Sequence, residues 1–292
     1  MSNIINKLSS ELTVVIVAFN SNDLLIECLN NVKKYKVLIV DNGKNKKIFS
    51  RLNYQNDNIQ IITKNKNLGF PKGINYAAEF IKTNYFIVLN ADTLISEESI
   101  NNLLKTCKKY ENCGASSPIT KLAKDGYDLF PENGKGIERT TVNKQISNKL
   151  HNLKPDGEIC VEVAKLGLMI NLKHFLRIKK FNENYFMFWE EVDLCKKFRK
   201  NNLSVIVNPL ATLIHNEKKS SNNDLTTFII KNFHLELSPL IYFETKKNAG
   251  FLYSRLLKYL FRSFSYFCIL NLKKSLNSLI KFTAVFYYIV KN

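Results

Sequence analysis

The stretch YFIVLNADTLI, residues 85–95, begins as an apolar run and closes on an amide and a carboxylate. An aromatic and β-branched run bounded by turn-forming residues reads as a strand buried on both faces of a parallel sheet. Asn90-Ala91-Asp92-Thr93 marks where that strand leaves the core. In sheets of this kind the ligand crevice lies beyond the carboxyl ends of the strands. Asp92 is thus placed either to hold a divalent metal or simply to make a turn, with Asp92 or Thr93 capping the next helix.

Upstream, LTVVIVAFN (12–20) is a run of the same kind. SNDLLIECLNNVKKY follows with Ser21 or Asn22 as N-cap and apolar residues at helical spacing. KVLIVDNGK (36–44) and NIQIITKN (58–65) each read as a strand, and GFPKGINYAAEFIKT (69–83) as a helix entered through Gly69 and Pro71. Downstream, SEESINNLLKTCKKY (96–110) predicts a helix opened by Ser96, with Glu97 and Glu98 favouring its dipole. GASSPI (114–119) is a short strand, ICVEVAKLGLMINL (159–172) has strand character, and FWEEVDLCKKFRKNN (188–202) is helical. SVIVNPLATLIH (204–215) predicts two short strands around Pro209. Residues 120–157 are polar and carry Gly126, Gly134, Gly136 and Pro155, which reads as a long loop over the crevice, able to act as a lid. Strand and helix alternate. The fold class is therefore α/β, with a mixed, mainly parallel sheet flanked by helices, and its domain is expected to end near residue 220.

The chain has 292 residues, 45% of them hydrophobic, enough for one large domain and an appendage. A formal charge of +18 suits a polyanionic partner such as nucleic acid, an anionic membrane face or a phosphorylated substrate. Lys, Asn and Ile are all abundant, as AT-rich coding would produce, so the charge has a compositional reading beside the functional one. Its aromatics sit in apolar runs and are not interleaved with Lys and Arg on a recognisable module, so no nucleic-acid partner is expected. The six cysteines form no CxxC pair and no Cys/His cluster, which fits reduced cytosolic thiols. MSNIINKLSSE carries no apolar signal core. A cytoplasmic location is expected.

Beyond about residue 220 the composition changes. GFLYSRLLKYLFRSFSYFCIL (250–270) places Arg255, Lys258 and Arg262 at i, i+3 and i+7 on an otherwise aromatic and aliphatic helix. Those charges argue against a membrane span, and SLIKFTAVFYYIV (278–290) is too short for one. Two readings remain: basic amphipathic helices lying on an anionic inner-membrane face, or helices packed on the main domain or on a second subunit as a homodimer.

In WEEVDLC (189–195), helical geometry separates the carboxylates. Glu191 shares a stripe with Leu194, Cys195 and Phe198, whereas Glu190 lies above Asp193, which can pair with Lys197 at i+4. A glutamate on an apolar stripe is costly unless it has a job or a partner. A desolvated one can hold a pKa suited to accepting a proton. Helix-start acids favouring the dipole suit Glu190 and Asp193 better.

Taken in order, VVIVAFN, VLIVDNG, NKNLGFPKGIN, FIVLNADT, FMFWEEVDLC and LIH resemble the family 2 glycosyltransferases with a GT-A fold. The nearest likeness is a branch of bacterial polysaccharide enzymes, the rhamnosyltransferases. The resemblance spans residues 12 to about 220. It implies a nucleotide-sugar donor of the dTDP-rhamnose or UDP-hexose type, a glycan or lipid-linked glycan acceptor and a divalent metal, Mg²⁺ or Mn²⁺. It places Phe19 and Asn20 under the nucleotide, Asp41 and Asn42 at the base, and Asn67, Gly69 and Lys72 along the nucleotide-sugar. Asn90 and Asp92 match a DxD-like metal motif whose first acid is here an amide, with His215 near the metal or diphosphate. Glu191 falls on the general base, where the family usually has Asp, with Glu190 beside it, and Trp189 offers a face for the acceptor sugar. The resemblance implies an inverting hexosyltransferase, and the basic C-terminal helices lead to the expectation that it is peripheral to the inner membrane. A non-catalytic GT-A scaffold or sugar-binding protein is the alternative, since Asn90 and Glu191 both depart from the pattern.

Overall fold

β1 (Leu12–Ala18) shows how the sheet is built: Leu12, Val14, Ile16 and Ala18 are buried in one apolar cluster, and Val15 in another on the opposite face. A strand apolar on both sides belongs in the middle of a sheet covered twice. The structure is a computed structural model that describes residues 10–19, 21, 23–43, 49–50, 57–122, 158–161, 163–215, 224–244 and 248–291. Asn20, Asn22 and residues 123–157 of the expected lid lie outside the described residues.

β2 (Lys36–Asp41), β3 (Ile59–Thr63) and β4 (Tyr85–Leu89) run parallel with β1 in the order β3-β2-β1-β4. The pairs Ala18↔Asp41, Asp41↔Thr63 and Ile16↔Leu89 align their carboxyl ends on one edge. Beyond β4 the sheet turns mixed. β8 (Leu168–Asn171) is antiparallel to β4, and β6 (Cys113–Leu122) is antiparallel to β8. β9 (Ser204–His215) runs parallel to β6, while β5 (Thr93–Ile95) and β7 (Ile159–Cys160) pair antiparallel with β9.

α1 (Asp23–Val32) and α3 (Glu97–Lys109) pack Leu25, Leu29, Leu103 and Cys107 into the first cluster. α2 (Phe70–Ala77), α4 (Leu172–Arg177) and α5 (Glu190–Lys200) pack Ile74, Phe175, Leu194 and Phe198 into the second. The expected cap of α3 is present, Ser96 Oγ accepting from the Ser99 N–H at 3.1 Å.

Four boundaries differ from expectation. The helix read over 69–83 ends at Ala77 and passes into a turn, because the chain must reverse before Thr83, whose hydroxyl donates to the Tyr85 carbonyl at 2.8 Å. The run 159–172 is two strands, broken where Leu166 and Gly167 take positive φ of 56° and 64°. The two strands read around Pro209 are one, and it carries an irregularity: the β6–β9 register jumps from Ser117↔Val207 to Ile119↔Thr212. Pro118 and Pro209 fall at that jump, and neither can donate a ladder hydrogen bond. Asn208 takes over, its Oδ1 accepting from the Leu210 N–H at 2.8 Å and its amide donating to Thr106 Oγ1 at 2.9 Å. β6 also reaches Leu122, three residues into the stretch read as loop.

The chain divides into two compact units, Met1–Asn182 with Glu191–Ser221, and Glu183–Glu190 with Asn222–Asn292. In the second, α6 (Leu225–Tyr242), α7 (Ala249–Cys268) and α8 (Leu272–Lys291) bury Leu237, Leu240, Leu252, Tyr259, Val285 and Tyr288 together. Ser275 Oγ donates to the Ser263 carbonyl at 2.8 Å, tying α8 to α7. Buried Glu236 on α6 pairs with Arg255 and accepts from the Tyr259 hydroxyl at 2.8 Å. Arg255 is thereby removed from the basic stripe read from the sequence, leaving Lys258 and Arg262 exposed. A buried carboxylate recruits the nearest long cation because an unpaired charge there is expensive.

Candidate active site

Asn90 to Thr93 form a tight turn. The Thr93 N–H and Oγ1 both donate to the Asn90 carbonyl, at 3.2 and 2.7 Å. The turn therefore exists as the simpler reading had it, but it caps no helix, since that role belongs to Ser96. It sends the chain back as β5, where Thr93 stands opposite His215 of β9. This register carries His215 Nε2 to within 3.4 Å of Asp92 Oδ1. Asp92 is 4% exposed, and Oδ1 has no hydrogen-bond donor among the described residues. The buried Cys28 thiol beside the turn is pushed up to about 12, by burial foremost and also by the Asp92 charge, so it stays neutral.

Glu191 is the second residue of α5 and belongs to the same unit as Asp92 and His215. Leu194, Cys195 and Phe198 of its stripe are fully buried, and Gly114 of β6 makes room for the helix, since a Cβ there would fall 2.5 Å from Phe198 Cδ1. Half-buried Glu191 has its carboxyl held above the usual glutamate range by desolvation. The Lys165 charge, a hydrogen bond from the Leu166 N–H and the His215 charge oppose that shift. His215 thus lies within electrostatic reach of both Asp92 and Glu191.

The bend at 165–167 was not anticipated. Its left-handed Leu166–Gly167 pair aims the Leu166 N–H at Glu191, and a Cβ on Gly167 would fall 2.7 Å from Leu213 Cδ1 on β9. A glycine inside a strand-like run was the signal available in the sequence.

Asp193 is half-buried: burial raises its carboxyl, and the Lys197 charge opposes this. Lys197 also donates to the carbonyls of Lys179, at 3.3 Å, and Lys180.

At the other end of the carboxyl edge, half-buried Phe19 follows β1, and Asp41 closes β2, its Oδ1 accepting from the Gly43 N–H at 3.1 Å. Asn42 is buried, and its amide is committed to the neighbouring loop. Nδ2 donates to the Gly69 carbonyl at 2.8 Å, and Oδ1 accepts from the Leu68 N–H at 3.2 Å. Asn67 Oδ1 accepts from the Gly69 N–H at 2.9 Å, and Gly69 adopts φ 75°, a region open to glycine. These residues shape the entry to α2, where Lys72 is exposed in the first turn.

Trp189 and Glu190 fall in the second unit. Trp189 packs within 5.1 Å of the Tyr242 ring and 5.3 Å of Phe243, and Ser238 Oγ donates to the Met187 carbonyl at 2.8 Å. Phe188 and Trp189 both have positive φ, 66° and 67°. Two bulky residues in this conformation represent stored strain. Glu190 is buried.

Asp92 and His215 offer a carboxylate oxygen and an imidazole nitrogen side by side. No group of three or more His, Cys, Asp or Glu able to hold a metal occurs among the described residues. Two protein ligands suit an ion that takes its remaining ligands from phosphate oxygens and water. One carboxylate oxygen without a hydrogen bond fits such an ion.

Residues 13–169 match the model of Glycosyl transferase family 2. The chain belongs to that family and is a glycosyltransferase by class. It is similar to the low-salt glycan biosynthesis hexosyltransferase Agl10 of Haloferax volcanii, 26% identical over 219 residues, covering 71% of this chain and 67% of the relative. A mannosyltransferase, PcManGT of Pyrobaculum calidifontis solved with GDP-Man and Mn²⁺, superposes with a TM-score of 0.56 at 14% identity, over 80% of this chain and 64% of that one. GalNAc-T7, solved with UDP, GalNAc and Mn²⁺, superposes with a TM-score of 0.55 at 15% identity, over 70% of this chain and 43% of that one. The chain thus spans less than two thirds of both solved chains, and they share its GT-A fold.

Proposed function

We propose that this chain is an inverting hexosyltransferase that moves a sugar from a nucleotide-sugar donor to a glycan acceptor. The observation that carries the reading is the Asp92–His215 pair where β5 and β9 meet, with Glu191 within electrostatic reach of His215. The donor diphosphate lies against Asp92 and His215, with Lys72 reaching a phosphate, and Asp41 and Phe19 frame the nucleotide. Asn42 acts indirectly, holding Leu68 and Gly69 so that the glycine backbone can approach the donor closely. Asp92 and His215 would hold a divalent ion, Mg²⁺ or Mn²⁺, and when bound it offsets charge on the departing diphosphate. The two solved neighbours with Mn²⁺ support that assignment.

Glu191 accepts the proton of the acceptor hydroxyl as its oxygen attacks the anomeric carbon. The glycosidic bond forms on the face opposite the leaving diphosphate, so a single displacement inverts the centre. Burial raises the Glu191 pKa and makes it a better base once ionised, while Lys165, Leu166 and His215 keep the ionised form accessible.

The donor is of the dTDP-rhamnose or UDP-hexose type, and the acceptor is a lipid-linked glycan of surface-polysaccharide synthesis, met at the inner membrane face. The Agl10 relative, a glycan-biosynthesis hexosyltransferase, supports the broader part of this assignment. Nucleoside diphosphate release, measured over a panel of donors with and without Mg²⁺ or Mn²⁺, tests it. Release with one donor class, raised by metal and dependent on Asp92, is the expected result. No release with any donor would leave a sugar-binding scaffold as the reading.

A further inference from the structure

The helical hairpin of the second unit leaves much of its apolar surface uncovered. Leu257, Phe261 and Phe264 of α7 are 67%, 72% and 67% exposed, and the turn into α8 presents Ile269 and Leu270 at 69% and 82%. With Leu260, the α7 residues recur at three- and four-residue intervals, so they form one stripe along the helix. The buried core of the unit uses other positions, Leu252 and Tyr259 among them. The stripe is therefore surplus to folding the hairpin.

Charge identifies what covers it. From residue 245 to 292 the sequence contains nine Lys or Arg and no Asp or Glu. Arg255 is neutralised by Glu236, but Lys258, Arg262, Lys273 and Lys274 are exposed beside the stripe and the turn. A second copy of this face would bring like charges together and leave them desolvated without acids to pair with. A bilayer with anionic headgroups takes both features at once. The rings enter the acyl boundary, and the long Lys and Arg stems reach back to the phosphates. No helix among the described residues is long and apolar enough to cross a membrane, so the contact is interfacial.

We propose that the α7–α8 hairpin docks on an anionic bilayer surface through the Leu257–Leu260–Phe261–Phe264 stripe and the Ile269–Leu270 turn. This deepens the assignment of a membrane-borne acceptor, on which it rests, by naming the surface and the lipid charge.

The test is co-sedimentation of the full chain with vesicles of phosphatidylcholine alone or with about a third phosphatidylglycerol. The expected result is binding to the anionic vesicles only, weakened about tenfold in high salt. Leu257→Glu with Phe261→Glu should lower binding at least tenfold, and Lys258→Gln with Arg262→Gln should remove the preference for anionic lipid. Both pairs are exposed, and circular dichroism with a thermal midpoint confirms that each variant is folded. Failure of the folded wild type to bind, or equal binding by Leu257→Glu with Phe261→Glu, overturns the proposal. A concentration-dependent dimer abolished by the same pair, without vesicle binding, also overturns it in favour of a second copy. Nucleoside diphosphate release with a water-soluble acceptor separates the two assignments. It should survive Leu257→Glu with Phe261→Glu, whereas Asp92→Ala should lose release and keep vesicle binding.

Discussion

Thr93 and His215 face each other across the antiparallel β5–β9 ladder, and that pairing places His215 Nε2 3.4 Å from the buried carboxylate of Asp92. The two residues are far apart in the chain, brought together by a three-residue strand that begins within the 90–93 turn. Any change that slips this ladder by one residue moves His215 to the other face of the sheet.

Replacing Asp92 by Ala should lower transfer by about 10²–10³-fold, the usual cost of removing one charge-stabilising group. The fold should survive, since the Asn90–Thr93 turn bonds do not use the Asp92 side chain. Steady-state rates together with a thermal midpoint decide this. Near-wild-type turnover would remove Asp92 from the site.

Chelation should suppress transfer in the wild type, and Mn²⁺ or Mg²⁺ should restore it. His215→Ala should raise the metal concentration needed for half-maximal rate, because one of two protein ligands is gone. If chelated enzyme retains full activity, Asp92 and His215 act as a bare ion pair and the metal assignment fails.

Glu191→Gln should abolish transfer and yet stabilise the protein at neutral pH. The folded pKa of Glu191 is raised by burial, so its stabilising contribution is complete below the unfolded pKa of about 4.3. That contribution is lost as pH rises through the folded value. The variant should therefore gain in thermal midpoint at neutral pH and lose the gain in acid. The wild-type rate should rise with pH on its acid limb, at a pKa above that of a free glutamate. An acid limb unchanged in Glu191→Gln would assign the base elsewhere.

Asn42→Ala should cost about 1–3 kcal/mol of stability, since the Leu68 N–H and Gly69 carbonyl lose their partners at a buried position. Its kinetic signature should be a raised KM for the donor, because the loop that carries Gly69 loosens. A kcat effect with unchanged KM would place Asn42 in the chemistry instead.

Glu236→Leu should destabilise the second unit by about 1–2 kcal/mol, less than for a fully buried pair because Arg255, left alone, keeps about a third of its side chain in solvent. Adding Arg255→Leu should recover most of that loss. Urea unfolding of the single and double variants measures the coupling, and simple additivity would show that the pair contributes nothing.

Much of the sheet is visible in local pattern. β1, β2, β3 and β4 are short apolar runs between turn residues, and α3 announces itself through Ser96, Glu97 and Glu98. The inward stripe of α5 also follows from spacing alone, because Leu194, Cys195 and Phe198 must share a face with Glu191. The extent of β9 was not legible, since Pro209 reads locally as a break. Only pairing with β6, itself carrying Pro118 at the same level, lets the strand continue through the irregularity. The inward turn of Arg255 was hidden for a similar reason, as its partner Glu236 sits on another helix.

The sequence by itself determined that this is an α/β chain with Asp92 at the end of a buried strand and Glu191 on an apolar helix stripe, because burial and helical period are local properties of neighbouring residues. Tertiary structure alone decided that Asp92 and His215 meet, that the Leu166 N–H is delivered to Glu191 by a left-handed bend at Gly167, and that Asn42 serves the Gly69 loop. Each of those contacts joins residues distant in the chain, and its distance is set by strand register and backbone conformation, which no local run of residues encodes.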